Sequence, residues 1–312
     1  MNSDLPIKPA FLSIAAVERE TGLSKDTLRV WERRYGFPAP QRDAMGERAY
    51  PADQVARLRL IRRLLDSGHR PGRVVLLPLD ELERLSATAP ARPATVPGSG
   101  DEIDLQSYLT LLRAHDVDGL RRQLSQAQMR MGLGRFISDL LVPFNTLIGD
   151  AWMRGQLEIF EEHVYSEVQH AVLRSALATL PDPGIAHPRV LLTTFPGEPH
   201  GHGLLLAEAM FAIDGAHCLS LGPQTPVWDI SRAAAAFRTD VIALGFSGCM
   251  SPNQVVEGLL ELRRKTPASV AIWAGGSAPV LFRRPVAGVK AIGGLADIHA
   301  ALKAWHAGDR MS

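Results

Sequence analysis

The residues of this chain with the most chemical potential are two histidines that each stand beside a carboxylate. The run Phe195-Pro-Gly-Glu-Pro-His-Gly-His-Gly203 puts Glu198 two residues before His200, with Gly201 and Gly203 close behind. A carboxylate bonded to one imidazole nitrogen orients the ring and makes the other nitrogen a better metal ligand. The pattern Glu-x-His-x-x-Gly is short, and a hydrogen-bonded loop histidine would produce it equally well. His202, inside the same loop, is a second imidazole that could take the ligand's part. Earlier in the chain the adjacent pair Glu162-His163 follows Trp152 after nine intervening residues. On one continuous helix that separation is close to three turns, which would line the three residues along one edge. Gly155 and Gln156 argue for a turn between them, so that only tertiary packing could bring them together. A core tryptophan and a solvated Glu–His pair fit the same residues. Other chemistries are disfavoured. Zinc would need three or four ligands at usable spacing, and the Gly-x-Gly-x-x-Gly fingerprint of a dinucleotide site is absent here. The two cysteines, Cys218 and Cys249, lie in apolar stretches and read as small buried hydrophobes.

The elements that must hold these residues can be read from periodicity. Between 188 and 308, Val190–Thr194, His217–Leu221, Val241–Gly245 and Val270–Ala274 are apolar runs of strand length. Helical patterns at 203–213, 228–237 and 252–265 alternate with them. This alternation indicates a parallel sheet covered on both faces. Ligands of such sheets bind outside the carboxyl ends of the strands, where the 195–203 loop would stand. Residues 101–182 carry helical periodicity throughout, with Tyr108, Leu111 and Leu112 on one stretch. Phe136, Leu140, Leu141, Phe144, Leu147 and Ile148 recur on another. A bundle of about four helices is expected, with Pro143 kinking or beginning one of them. The segment 86–100, rich in proline, alanine, glycine and serine, reads as a linker. A softer boundary lies at Pro181-Asp-Pro-Gly184. The expected organisation is therefore 1–85, a linker over 86–104, a bundle over 105–182 and an α/β domain over 187–308.

Hydrophobic residues make up 46% of the 312 positions, the proportion of a water-soluble globular protein. No uncharged apolar run is long enough for a membrane span. The opening MNSDLPIKPAFLS lacks a signal-peptide core, so a cytoplasmic location is expected. The net charge of +1 conceals an asymmetry: residues 25–73 hold twelve Lys/Arg against six Asp/Glu. Such a local excess suggests a module that faces phosphate. Here Ser13 can cap a helix through Ala15–Glu20, and Gly22 permits the turn that ends it. Ser24 can cap a second helix, Lys25–Tyr35, which carries Lys25, Thr27, Arg29, Arg33 and Arg34. Two short helices joined by a glycine turn form a helix-turn-helix, whose second helix enters the major groove. Gln41, Arg42, Gly46, Arg48 and Tyr50 read as a small β-wing. A third helix begins at Pro51 and buries Leu58, Ile61, Leu64 and Leu65. Arg33, Arg34, Arg42 and Arg48 suit phosphate, while Thr27 and Arg29 could reach base edges.

In combination these residues resemble the MerR family over residues 12–73. Ile14-Ala-Ala-Val17, Gly22-Leu-Ser24, Thr27-Leu-Arg-Val-Trp-Glu-Arg-Arg-Tyr-Gly-Phe-Pro38 and Arg48-Ala-Tyr50 carry the likeness. It implies DNA recognition by Lys25–Tyr35 and by the wing, Tyr50 included, normally as a dimer on a palindromic site. Over nearly its whole length the chain is similar to the CarH/LitR group of cobalamin-dependent photoreceptor regulators. The likeness rests on the order of a MerR-type domain, a linker, a bundle with Trp-x9-Glu-His and an α/β domain with Glu-x-His-x-x-Gly. The fold it implies is multidomain: an all-α winged helix-turn-helix of MerR type, a four-helix bundle and an α/β Rossmann-like cobalamin-binding domain. The resemblance makes His200 the lower cobalt ligand, with Glu198 and Gly203 in its loop. Trp152 and Glu162 would cover the upper, adenosyl face, and His163 would become the upper ligand after photolysis. Ser247, in Ser247-Gly-Cys-Met250, would contact the nucleotide tail, and Gly275-Gly276 would make room for it. Glu198 departs from the Asp usual in cobalamin-dependent enzymes. The implied protein is a repressor without enzymatic activity. Its cofactor would be adenosylcobalamin, and its partners operator DNA and further copies of itself, from dimer to tetramer. A regulator that senses cobalamin or another tetrapyrrole without photochemistry is the alternative. A cobalamin-dependent methyl-transfer module would need a catalytic partner domain, where residues 1–85 offer a DNA reader.

Overall fold

The computed structural model describes residues 11–43, 45–66, 69–87, 103–181, 184, 188–247 and 250–308. Two compact units make up the chain: Met1–Ala94 with Gly149–Leu157, and Thr95–Ile148 with Glu158–Ser312.

In the first unit, β1 (Phe11–Ser13) leads into α1 (Ile14–Thr21), and α2 (Lys25–Tyr35) follows. The side chain of Ser13 accepts the Ala16 N–H, and that of Ser24 accepts the Thr27 N–H at 3.1 Å. Each serine thus satisfies a donor that the first helical turn leaves unpaired. Gly22 ends α1 at φ 67°, a left-handed conformation that glycine adopts without steric cost. The wing is β2 (Gln41–Arg42) paired antiparallel with β3 (Arg48–Pro51). Strand β1 adds to the other edge of β3, giving the order β1-β3-β2. That third strand was not legible, because three residues are too few to show alternation. Helices α3 (Ala52–Asp66), α4 (Pro71–Val74) and α5 (Leu79–Ala87) complete the unit. Leu58, Ile61 and Leu64 are buried in its core with Val17, Leu28, Trp31 and Leu82, and Leu65 packs against it.

In the second unit, α6 (Leu105–Arg113) and α7 (Val117–Met131) begin at the capping side chains of Asp104 and Asp116. Then come α8 (Leu133–Arg135), a π-helical segment (Phe136–Leu141), α9 (Val142–Met153), whose residues from Gly149 on belong to the first unit, and α10 (Ile159–Ala178). Tyr108, Leu112, Phe136, Leu140, Leu141, Phe144 and Ile148 are buried, as the three-to-four spacing requires. Pro143, without an N–H to donate, sits second in α9, where the α pattern resumes after the six π-helical residues.

The α/β part of this unit runs β4 (Arg189–Thr193), α11 (His202–Ile213), β5 (His217–Gly222), α12 (Val227–Ala236) and β6 (Val241–Phe246). It continues with α13 (Pro252–Lys265), β7 (Ala271–Gly276), α14 (Val280–Arg283), β8 (Val289–Ile292) and α15 (Asp297–His306). All four strand pairings are parallel, in the order β5-β4-β6-β7-β8. Val190 and Leu192 pack on one face with residues of α11 and α15, and Leu191 packs on the other with residues of α12 and α13. Alternation along β4 thus fills two layers at once. Four strands were expected; the fifth, β8, is a four-residue edge strand containing Lys290, too short and too polar to stand out. Strand order reverses between β4 and β6, which opens a crevice at their carboxyl ends.

Candidate cofactor and nucleic-acid sites

The two loops that flank this crevice carry Glu198 and His200 after β4 and Ser247 after β6. Glu198 is 0% exposed. Its Oε1 lies 2.8 Å from His200 Nδ1, and the Ser247 N–H donates to its Oε2 at 2.8 Å. The Ser247 hydroxyl reaches both carboxylate oxygens, at 2.8 and 2.9 Å. Burial pushes the Glu198 carboxyl up, but the hydrogen bonds from His200 and from the Ser247 N–H and hydroxyl outweigh it. The group is held below the ordinary carboxylate range. A carboxylate at Nδ1 selects the tautomer with its proton there and its basic lone pair on Nε2, the ligand form of imidazole. His200 itself is about half exposed.

The glycines around the crevice serve different ends. A Cβ on Gly276, at φ 115°, would stand 2.2 Å from the Phe246 carbonyl oxygen, so the close pairing of β6 and β7 itself demands glycine there. At Gly275 a Cβ would make ordinary contact with Ile292, at 3.5 Å. At Gly203 a Cβ would meet nothing within 4 Å. Gly203 is exposed in the first turn of α11, three residues after the oriented imidazole. This donor set fits a group whose metal accepts one histidine nitrogen.

On the bundle, Glu162 and His163 are the fourth and fifth residues of α10. His163 Nδ1 lies 2.7 Å from Glu162 Oε2, and Ser166 Oγ donates to Glu162 Oε1 at 2.8 Å. The His163 side chain is 72% exposed. Trp152 is half-buried in the last turn of α9 and falls in the other compact unit. A turn at 154–157, with Gly155 at φ 67°, separates α9 from α10, so the three residues do not share one helix. His202, the first residue of α11, packs its ring 4.7 Å from that of His170 on α10. Burial, and after it the neighbouring His170, lowers the His202 pKa, while Glu162 and Glu167 pull the other way. Sequence reasoning missed His170, since nothing local distinguishes a mid-helix histidine. Among the described residues no cluster of three or more His, Cys, Asp or Glu could hold a metal ion. Burial raises the Cys218 thiol to about 12, as suits an inert packed side chain; Cys249 lies outside the described residues.

In the first unit, Leu28 and Trp31 turn α2 inward, and Arg29, Arg33 and Arg34 stand exposed on its outer side. Lys25 pairs with Glu18 at 3.5 Å and Arg29 with Asp26 at 3.2 Å. Thr27 is half-buried, its hydroxyl 2.8 Å from that of Ser24. On the wing, Arg42 donates to the Gly46 carbonyl at 2.7 Å. Arg48 Nε donates to Glu32 at 2.8 Å, tying the wing to α2 and raising the Arg48 pKa. Tyr50, expected on the DNA-facing surface, is instead 0% exposed in the core, because β3 turns it inward beneath α1 and α3. Among the described residues no helix is long and apolar enough to cross a membrane.

Comparison with known proteins adds to this geometry. Residues 12–76 match the MerR HTH family regulatory protein, and residues 105–176 match the B12 binding domain. The chain is 30% identical over 258 residues to the HTH-type transcriptional repressor CarH of Myxococcus xanthus, covering 82% of this chain and 86% of that one. It is 29% identical over 268 residues to the HTH-type transcriptional repressor CarA of the same organism, covering 85% and 87%. Among solved structures, the monomethylamine corrinoid protein of Methanosarcina barkeri superposes with a TM-score of 0.50 at 14% identity. That match spans 63% of this chain and 95% of the other, a likeness of fold.

Proposed function

This chain belongs to the family of helix-turn-helix transcriptional repressors that includes CarH and CarA, and from that premise we propose that it is a light-responsive repressor controlled by adenosylcobalamin. The observation that carries the cofactor reading is the Glu198–His200–Ser247 network at the crevice of a parallel sheet. His200 would hold cobalt through Nε2, and Glu198, itself clamped by Ser247, would keep the ring in that tautomer. Ser247, Gly275 and Gly276 line the path of the nucleotide tail, and Gly203 leaves room beside the ring. When bound, adenosylcobalamin supplies a cobalt–carbon bond that visible light can break. By the family likeness, Trp152 and Glu162 would contact the adenosyl group, and His163, oriented by Glu162, would supply a cobalt ligand after photolysis. Lys25, Thr27, Arg29, Arg33, Arg34, Arg42 and Arg48 form the face toward operator DNA. Several such faces in one dark assembly bind with avidity, so dissociation of the oligomer by itself lowers occupancy.

Relatives that are transcriptional repressors and a helix-turn-helix at residues 12–76 support a sensor over an enzyme. The test is an absorption spectrum of the protein reconstituted with adenosylcobalamin in darkness, recorded before and after green light. A light-dependent change in wild type that is retained in altered form by His163→Ala is expected. An unchanged wild-type spectrum would leave a cobalamin sensor without photochemistry.

A further inference from the structure

Besides its hydrogen-bonded network, the His200 loop has a second attachment. Gly201 precedes α11, and His202 is its first residue, so whatever fixes the His202 ring fixes the exit of the loop. That ring lies 4.7 Å from His170 of α10 with 33° between the planes. The His170 Nε2 atom is buried and has no hydrogen-bond partner among the described residues. A buried polar nitrogen left unpaired carries a desolvation penalty, so its placement here calls for a reason other than hydrogen bonding. Further along both helices, Arg174 donates to Glu208 at 2.7 Å, with Glu208 largely buried. The two contacts, His170 with His202 and Arg174 with Glu208, join the bundle to the α/β layer beside the crevice.

We infer that His170 and His202 are positioning residues, a ring-on-ring brace between α10 and α11 that sets the height of His200 against the ligand. The inference rests on the reading of His200 as the cobalt ligand. In it, His202 acts through its flat ring and donates no nitrogen to the metal. A brace of this kind explains why one loop holds two imidazoles: Glu198 orients the first, and the second anchors the loop to the neighbouring helix. The Arg174–Glu208 pair then keeps the two helices from sliding past each other.

The test uses the full chain and cob(II)alamin, whose electron paramagnetic resonance spectrum is split by the axial nitrogen. Labelling the protein's histidine nitrogens isotopically separates a protein ligand from the cofactor's own base. Wild type should show a label-dependent splitting. His202→Ala and His170→Ala should each weaken cob(II)alamin binding by about five- to tenfold and reduce that splitting, as removal of one aromatic partner implies. His202→Phe, which keeps a flat ring and removes both nitrogens, should restore affinity and splitting. Thermal unfolding of the ligand-free variants identifies any that fail simply by losing their fold, and in that case His202→Phe alone decides. Alanine variants that bind like wild type would overturn the brace, and so would His202→Phe behaving like His202→Ala. A wild type without label-dependent splitting would remove His200 as ligand and the inference with it, a result distinct from either of those.

Discussion

Glu198 is a fully buried carboxylate that keeps its charge because His200 and both donors of Ser247 converge on it. Replacing it with glutamine preserves its shape but lets an amide N–H face His200 Nδ1, which reverses the tautomer and moves the proton onto Nε2. Glu198→Gln should therefore weaken cobalamin binding by about ten- to a hundredfold, the usual cost of losing a ligand's orienting partner; an absorbance titration measures it. The same residue makes a pH prediction. Its folded pKa is lowered, so its stabilising effect is complete above the ordinary carboxylate pKa and fades as pH falls through the folded value. Denaturation curves in acid should show wild type losing stability over that window, with a shallower loss in Glu198→Gln. The Glu-x-His pairing was legible in the sequence, because two residues in one short loop meet whatever surrounds them. Ser247 as the clamp on Glu198 was not, since 49 residues separate them and only the parallel pairing of β4 with β6 makes them neighbours.

At the scale of elements, the helix-turn-helix could be read with little loss. Ser13, Gly22 and Ser24 act on the backbone next to them, and local chemistry of that kind is written in the sequence. Tyr50 is the counterexample. Its place among arginines suggested a surface role, but strand alternation against α1 and α3 sends it into the core. Wing and helix are further joined by Arg48 and Glu32 across sixteen residues. Of the cationic side chains, Arg33 and Arg34 stand exposed on α2, whereas Arg48 is engaged within the protein. Arg33→Ala and Arg34→Ala should each weaken DNA binding about equally across sequences and reduce the salt slope by about one for each phosphate no longer neutralised. Fluorescence anisotropy over a range of salt concentrations reads both effects. A change confined to one base position would make the residue a reader of sequence. The edge strand β8 and helix α15 were not legible for the reverse reason: a short, lysine-bearing strand acquires its identity only by pairing with β7.

For the whole molecule, two modules meet in one chain: a basic helix-turn-helix and an oriented histidine at a sheet crevice, in a family of transcriptional repressors. Such a combination becomes a switch only if the ligand favours one assembly over another, since a ligand shifts an equilibrium by no more than its differential affinity for the two states. The sequence could suggest this pairing because each module carries its own motif, yet the assembly it controls depends on surfaces that no motif describes. Gel filtration of the full chain with adenosylcobalamin, run in darkness and again after green light, reads whether light changes the assembly. A larger species in the dark that dissociates on illumination is expected, with His200→Ala eluting alike under both conditions. A wild type that elutes identically in dark and light, despite a light-induced change in its absorption spectrum, would contradict it.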